Sequence, residues 1–315
     1  MLDHRGLQDR RTRATAGARS ALAGTAGAEA AAGSALPAIG TICLGILFLC
    51  TNDAVAKWLT EYYAPLQLVF MRNLIALPLV ALLAVGLRGK GVLYTRHTRL
   101  HALRGALVVA AAVAFFTGLT LLPLAEATAL VFAAPLFITA LSVPLLGEHV
   151  GWRRWAACLV GFTGVLVIVQ PGGETFQTAS LLPLGTAVLY ALLMLSARRI
   201  GSAESVWTLM VQVTFWPLLF SALVLPFVWE TPRPEHLLGF AALALCGTLG
   251  MTLITQAFRM APAAVVAPFD YTALLWATVF GFVLWGEVPG AWTYVGAGII
   301  IMSGIYILFR ERRRR

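Results

Sequence analysis

Charge is scarce in this chain: Asp, Glu, Lys and Arg make up 12% of its 315 residues, about half the roughly 25% of a soluble domain. So few charges cannot build a polar shell, so the outer face must meet something other than water. Cysteine excludes more by its placement than by its number. Cys43, Cys50, Cys158 and Cys246 all sit in apolar runs, and none forms a C-x-x-C or a Cys/His spacing suited to zinc. They read as small buried hydrophobes. The five histidines fall in the tail or at helix ends, and His97 and His101, four apart, have no third ligand near them in sequence. There is no G-x-x-x-x-G-K-[ST] loop, no H-E-x-x-H and no G-x-S-x-G, so direct ATP drive and the familiar hydrolytic machineries lack their residues. Residues 1–35 have no apolar stretch of the kind a secretory signal needs, and Asp3 and Asp9 count against a transit peptide. A disordered cytoplasmic tail is expected there.

What is present is apolar length. Hydrophobic residues make up 59% of the chain, and from Pro37 they form runs at 37–58, 65–87, 102–121, 124–146, 152–170, 179–198, 207–229, 236–258, 262–285 and 291–309. A bilayer core takes about 20 residues of helix, and each run comes close. A membrane barrel would show alternating segments of about ten residues, whereas these runs are continuously apolar. Their backbone must therefore satisfy its own hydrogen bonds as helix. The expected class is an all-α integral membrane protein with ten transmembrane helices.

The net charge of +9 raises nucleic acid as a partner, but the basic residues are concentrated at the ends and in a few short loops. Arg88, Lys90, Arg96, Arg99, Arg104, Arg153, Arg154, Arg198, Arg199 and Arg259 fall on one side, with five Arg in the tail and five after Phe309. The opposite side keeps Lys57 and Arg233. Basic residues stay cytoplasmic, so both termini are expected inside, in a cell inner membrane, with the lipid bilayer and not nucleic acid as partner. Trp58, Tyr62 and Tyr63 outside, with Trp152 and Trp155 inside, occupy interfacial positions.

The two halves echo each other. Pro123 and Pro262 stand 139 residues apart, as do Gly147-Glu148 and Gly286-Glu287; Trp152 and Trp292 then stand 140 apart, and Lys57 and Arg198 141. Five helices per repeat is odd, so the second repeat is expected upside down in the membrane. This divides the chain into a tail at 1–35, a first repeat at 36–172, a second at 178–310 and a basic cytoplasmic end at 311–315. Inverted repeats are a carrier architecture with the substrate site near the midplane; a duplicated bundle without a transport role is the alternative.

The Pro-Leu-Ala-x-Ala-x-Ala segment from Pro123, the Gly147-Glu148 end of the same helix, their echoes at Ala261-Pro262 and Gly286-Glu287, and the glycines of 161–164 and 296–298 resemble the two EamA domains of the drug/metabolite transporter superfamily. The resemblance covers about residues 37–310. Asn52-Asp53-Ala54-x-Ala56-Lys57 with Phe70-Met71-Arg72, and Ala267-Pro268-Phe269-Asp270-Tyr271 with Trp285-Gly286-Glu287, are similar to the bacterial branch that includes riboflavin and S-adenosylmethionine uptake carriers. Membership implies ten helices, an inverted repeat and alternating access. It leaves open amino acids, sugars, nucleotide conjugates, vitamins and drugs, moved in either direction.

A charge at the bilayer centre costs about 2.5–3.5 kcal/mol, so each one there needs a reason. Asp270 lies eight residues past Pro262, where the first repeat has the apolar Val131, and reads as a substrate or proton site or as a buried pair. Pro268 leaves the carbonyl of Ala264 without its helical donor. Arg72 either holds a carboxylate or phosphate through its planar fork or neutralises Asp53 or Asp270. Asp53 and Lys57, four apart, read as a local ion pair or as part of a gate. Glu126, Glu148 and Glu287 lie at helix ends; Glu148 and Glu287, at equivalent repeat positions, read as structural, with a catalytic or coupling role as the alternative, and Pro123 and Pro262 read as structural. Tyr271, Trp276 and Gln256 either line a cavity suited to a planar or cationic ligand or pack against lipid.

The expected function is a secondary carrier for a small polar metabolite, with no metal, no cofactor and no catalysis, acting alone or as a homodimer. A multidrug or metabolite exporter of the same fold is the first alternative, and an intramembrane transferase the second.

Overall fold

The computed structural model describes residues 36–171, 177–200, 204–261 and 263–312, with the backbone alone described at 197–200, 263–264 and 308–312. The tail 1–35, Pro262, the Arg198 and Arg199 side chains and residues 313–315 lie outside the described residues. Helices α1 (Leu36–Leu59), α2 (Pro65–Arg88), α3 (Thr98–Leu121), α4 (Leu124–Val131), α5 (Ala134–Leu146), α6 (Trp152–Val169), α7 (Leu181–Ile200), α8 (Val206–Val224), α9 (Leu237–Met260), α10 (Ala263–Val266), α11 (Thr272–Trp285) and α12 (Ala291–Arg312) follow one another. No strand occurs among the described residues. Nine helical segments there are long and apolar enough to cross a membrane, and Ala291–Ile307 is a shorter apolar helix.

Local chemistry sets the boundaries. Pro65 opens α2 at a position whose N–H would have no helical partner, and Ser205 caps α8 by accepting the Thr208 N–H at 3.1 Å. Two boundaries differ from the hydropathy reading. α3 begins at Thr98, four residues before 102, because the polar His101 and Arg104 of its first turns are buried against the chain. α8 stops at Val224, short of 229, and tightens into a 3-10 turn over Leu225–Phe227, where Pro226 cannot donate to a continuing helix.

The runs 124–146 and 262–285 are not continuous helices. The first breaks at Phe132–Ala133, between α4 and α5, and the second passes through a 3-10 turn at Ala267–Tyr271. Pro135 and Pro268 each deny a donor to the carbonyl four residues earlier, which favours a break there. Both runs end alike. Gly147 (φ 68°, ψ 22°) and Gly286 (φ 67°, ψ 18°) turn left-handed, a region glycine enters without steric cost. The chain then folds back, Glu148 N–H to Ser142 O and Glu287 N–H to Gly281 O. Both runs also begin after an extended residue, Leu122 and Ala261.

Outward faces carry Leu82, Leu159, Leu238 and Val283, all more than half exposed, which is tolerable only against lipid. Inside, Leu59, Leu68, Phe116, Leu119, Leu124, Phe240 and Leu243 form one buried cluster where α1–α4 and α9 meet. Leu130, Leu136, Ala187, Ala297 and Ile300 form another. The α6–α12 contact is closest at Gly164 and Gly296. A Cβ on Gly164 would stand 2.7 Å from the Gly296 carbonyl, and one on Gly296 would stand 2.5 Å from that of Gly164. Gly164→Ala is therefore expected to lower the melting temperature in detergent by several degrees. Gly298→Ala, with nothing within 4 Å of its Cβ, is expected to leave it unchanged; equal melting temperatures for both variants would remove the constraint.

Candidate functional site

One end of the bundle is tied together by aromatic and charged groups. Trp58, Tyr62, Tyr63 and His236 pack ring against ring. Tyr63 Oη meets His236 Nδ1 at 2.9 Å and accepts the Arg233 N–H at 2.9 Å. Gln67 donates to Glu230 O and accepts from Glu230 N–H, joining the start of α2 to the segment between α8 and α9.

Beside this cluster Lys57 is buried, and its partner is not Asp53. The local i,i+4 pair gives way to a contact 230 residues away: Lys57 Nζ donates to Glu287 Oε1 and, at 2.9 Å, to Leu122 O. The second Glu287 oxygen accepts the Leu124 N–H at 2.9 Å. Two orphan groups of the Pro123 junction, a helix-ending carbonyl and a helix-opening N–H, are thereby satisfied by one ion pair. Lys57 Nζ also lies 5.3 Å from the centre of the Trp285 ring. Glu287 and Pro123 thus belong to one structural unit, while Glu148 lies beyond the matching glycine turn after α5.

Deeper between α1, α2 and α9 lies a second polar group. Asn52 Nδ2 donates to Asp53 Oδ1 at 3.0 Å. Arg72 acts on Asp53 through space, but the ion pairs among the described residues are Lys57–Glu287, His97–Glu204 and His101–Glu204, so the two do not touch. Gly247 of α9 closes the group, its Cβ position 2.9 Å from Asn52 Oδ1 and 3.8 Å from Arg72 Cδ. Asn52 and Gly247 were not singled out from sequence: an amide beside an aspartate and a glycine in a membrane helix carry no signal until they face each other.

Asp270 sits in the 3-10 turn between α10 and α11, close enough to Tyr190 of α7 and to Tyr271 for its charge to act on both. No cation pairs with it among the described residues. Tyr190 keeps 40% of its surface accessible. Tyr271 meets Phe132 edge to face at 5.1 Å and points its hydroxyl at Gly304 of α12. Trp276 stacks on Phe280 beside the α1–α9 core. Gln256 lies on the exposed face of α9, apart from these groups.

At the opposite end, Glu204 joins His97 and His101 by hydrogen bonds. Its carboxylate accepts from His97 Nδ1 at 3.0 Å, from His101 Nε2 at 2.7 Å and from the Thr95 hydroxyl. Burial opposes its ionisation, but these hydrogen bonds outweigh burial and hold its carboxyl down at about 2. A depressed carboxyl stabilises the fold above its unfolded pKa, near 4.3. That stability disappears as pH falls through the folded value. At about 1.4 kcal/mol per pH unit, the contribution at neutral pH is at most roughly 3 kcal/mol, and solvent screening lowers it. The stability gap between the wild type and Glu204→Gln is therefore expected to narrow as pH falls below 4. Thermal unfolding across that range measures it, and a gap that widens on acidification would refute it.

The profile of the EamA-like transporter family matches residues 36–170 and 177–310. An S-adenosylmethionine uptake transporter of Rickettsia conorii is 29% identical over 88% of this chain and 94% of its own length. A riboflavin transporter of Rhizobium johnstonii is 30% identical over 88% and 92%. One crystal structure aligns over 88% of this chain and 98% of its own, with a TM-score of 0.59 at 22% identity, a likeness of fold.

Proposed function

The chain belongs to the EamA-like transporter family, and from that premise we propose that it is a secondary carrier moving a small polar metabolite across the cytoplasmic membrane by alternating access. The observation that carries this reading is the set of intramembrane charges that make no ion pair among the described residues: Asp53 and Arg72 between α1, α2 and α9, and Asp270 between α7 and α11. A fold that pairs Lys57 with Glu287 leaves these three without a countercharge in contact. Intramembrane charges mark substrate or ion pathways.

Ten helices in two inverted repeats, at 36–172 and 178–310, are part of the proposal. The supporting observations are the 139-residue recurrence of the glycine turns, of the fold-back bonds and of the extended residues before α4 and α10, together with broken helices of the kind carriers use at their sites. Both termini then face the cytoplasm. Asp270, without a protein cation beside it, is neutralised in the cycle by a proton or by a cationic group of the substrate. The names of the relatives point to uptake, with S-adenosylmethionine and riboflavin as the first compounds to try. Uptake of either labelled compound into proteoliposomes above protein-free controls is the test; no uptake under an imposed proton gradient of either sign would reject the reading.

A further inference from the structure

We propose that Asn52, Asp53, Arg72 and Gly247 form a subsite for a zwitterionic α-amino-acid headgroup, an inference that rests on the carrier reading and narrows its substrate class. The argument starts from what each polar atom does with its bonding capacity. Asn52 is 4% exposed. Its amide nitrogen is used on Asp53, while its carbonyl oxygen is buried with no hydrogen-bond partner. An unsatisfied buried acceptor of this kind costs about 1–3 kcal/mol and is rare enough to require a reason. The carboxylate turned toward that amide has its second oxygen unused among the described residues. Two hydrogen-bonded neighbours therefore each keep an unused acceptor among the described residues, one of them anionic, which suits a primary ammonium with its three donors.

Arg72 provides the complementary half. It has five N–H donors in a planar fork and donates to no described residue. Gly247 borders both halves, its Cβ position 2.9 Å from Asn52 Oδ1 and 3.8 Å from Arg72 Cδ, so the cation and the anion flank the same stretch of α9 without forming an ion pair. A ligand bridging the two must present a carboxylate to Arg72 and an ammonium to Asp53 and Asn52, the two groups that an α-amino acid carries on one carbon. A simple anion would leave the acceptors unsatisfied, and a simple amine would leave the fork unsatisfied. Gly247 sets the space: any side chain there would press within 2.9 Å of the Asn52 oxygen and fill the acceptor side.

The test uses proteoliposomes of the full chain loaded from outside with labelled S-adenosylmethionine or labelled riboflavin. The competitors are L-methionine, its decarboxylated amine and its deaminated acid. L-Methionine is expected to inhibit at least tenfold more strongly than either truncated analogue, and that ratio should collapse toward one in Arg72→Gln, Asp53→Asn and Gly247→Ala. The analogue comparison on the wild type needs no variant, so it decides even if a variant fails to fold. Uptake of either compound on which the amine or the acid competes as well as L-methionine overturns the headgroup proposal and leaves the carrier reading standing. Riboflavin uptake indifferent to all three competitors, with no S-adenosylmethionine uptake, does the same. No uptake of either compound overturns both.

Discussion

Uptake by Asp270→Asn is expected to fall at least tenfold below wild type, and what remains should lose its dependence on an imposed pH gradient. The substitution keeps size and shape while removing both the negative charge and the site for a proton. No described cation pairs with it, so its removal breaks no ion pair there and folding should survive. Hydrogen bonds to a charged group are worth about 1.5–3 kcal/mol, and 1.4 kcal/mol is a factor of ten, which sets the lower bound. Initial rates in proteoliposomes at matched protein orientation, with internal pH varied, provide the measurement. A variant that transports at the wild-type rate with the wild-type pH profile would show that Asp270 has no part in coupling.

The second large effect concerns the Lys57–Glu287 pair. Lys57→Met should destabilise the protein by about 3–5 kcal/mol, the cost of leaving one member of a buried pair unmatched. Glu287→Gln should cost less, because a glutamine oxygen still accepts the Leu124 N–H and the Lys57 ammonium keeps Leu122 O. The double variant should be more stable than the sum of the single changes predicts, with a coupling of about 1–3 kcal/mol. Denaturation of all four proteins in one detergent closes the cycle. Strict additivity would mean that the pair, for all its burial, contributes nothing as a pair.

The spans were legible because hydropathy over some twenty residues integrates a strong signal, and the proline-linked junction at Leu122-Pro123 falls where the sequence places it. The break inside the run 124–146 was not legible in hydropathy, since Phe132 and Ala133 are as apolar as their neighbours and Pro135 was the one local signal for it. Among the polar residues, Asp53, Arg72 and Asp270 stood out by depth alone. The partner of Lys57 did not, because an acid four residues away is the natural first reading and the actual one is 230 residues distant. Glu204 was invisible for the same reason, 103 residues from His101. Local chemistry can be read along the chain, whereas pairing across a bundle depends on which faces meet.

The reciprocal meeting of Gly164 and Gly296 bears on how such a molecule can move. Each backbone occupies the space where the other's side chain would stand, and Ser303 adds a hydrogen bond to Ala157 O at 2.5 Å. Two helices in that embrace cannot slide by a turn without colliding with the ridges on either side. In the proposed carrier cycle α6 and α12 are therefore expected to move as one body, and cross-linking them should leave turnover intact.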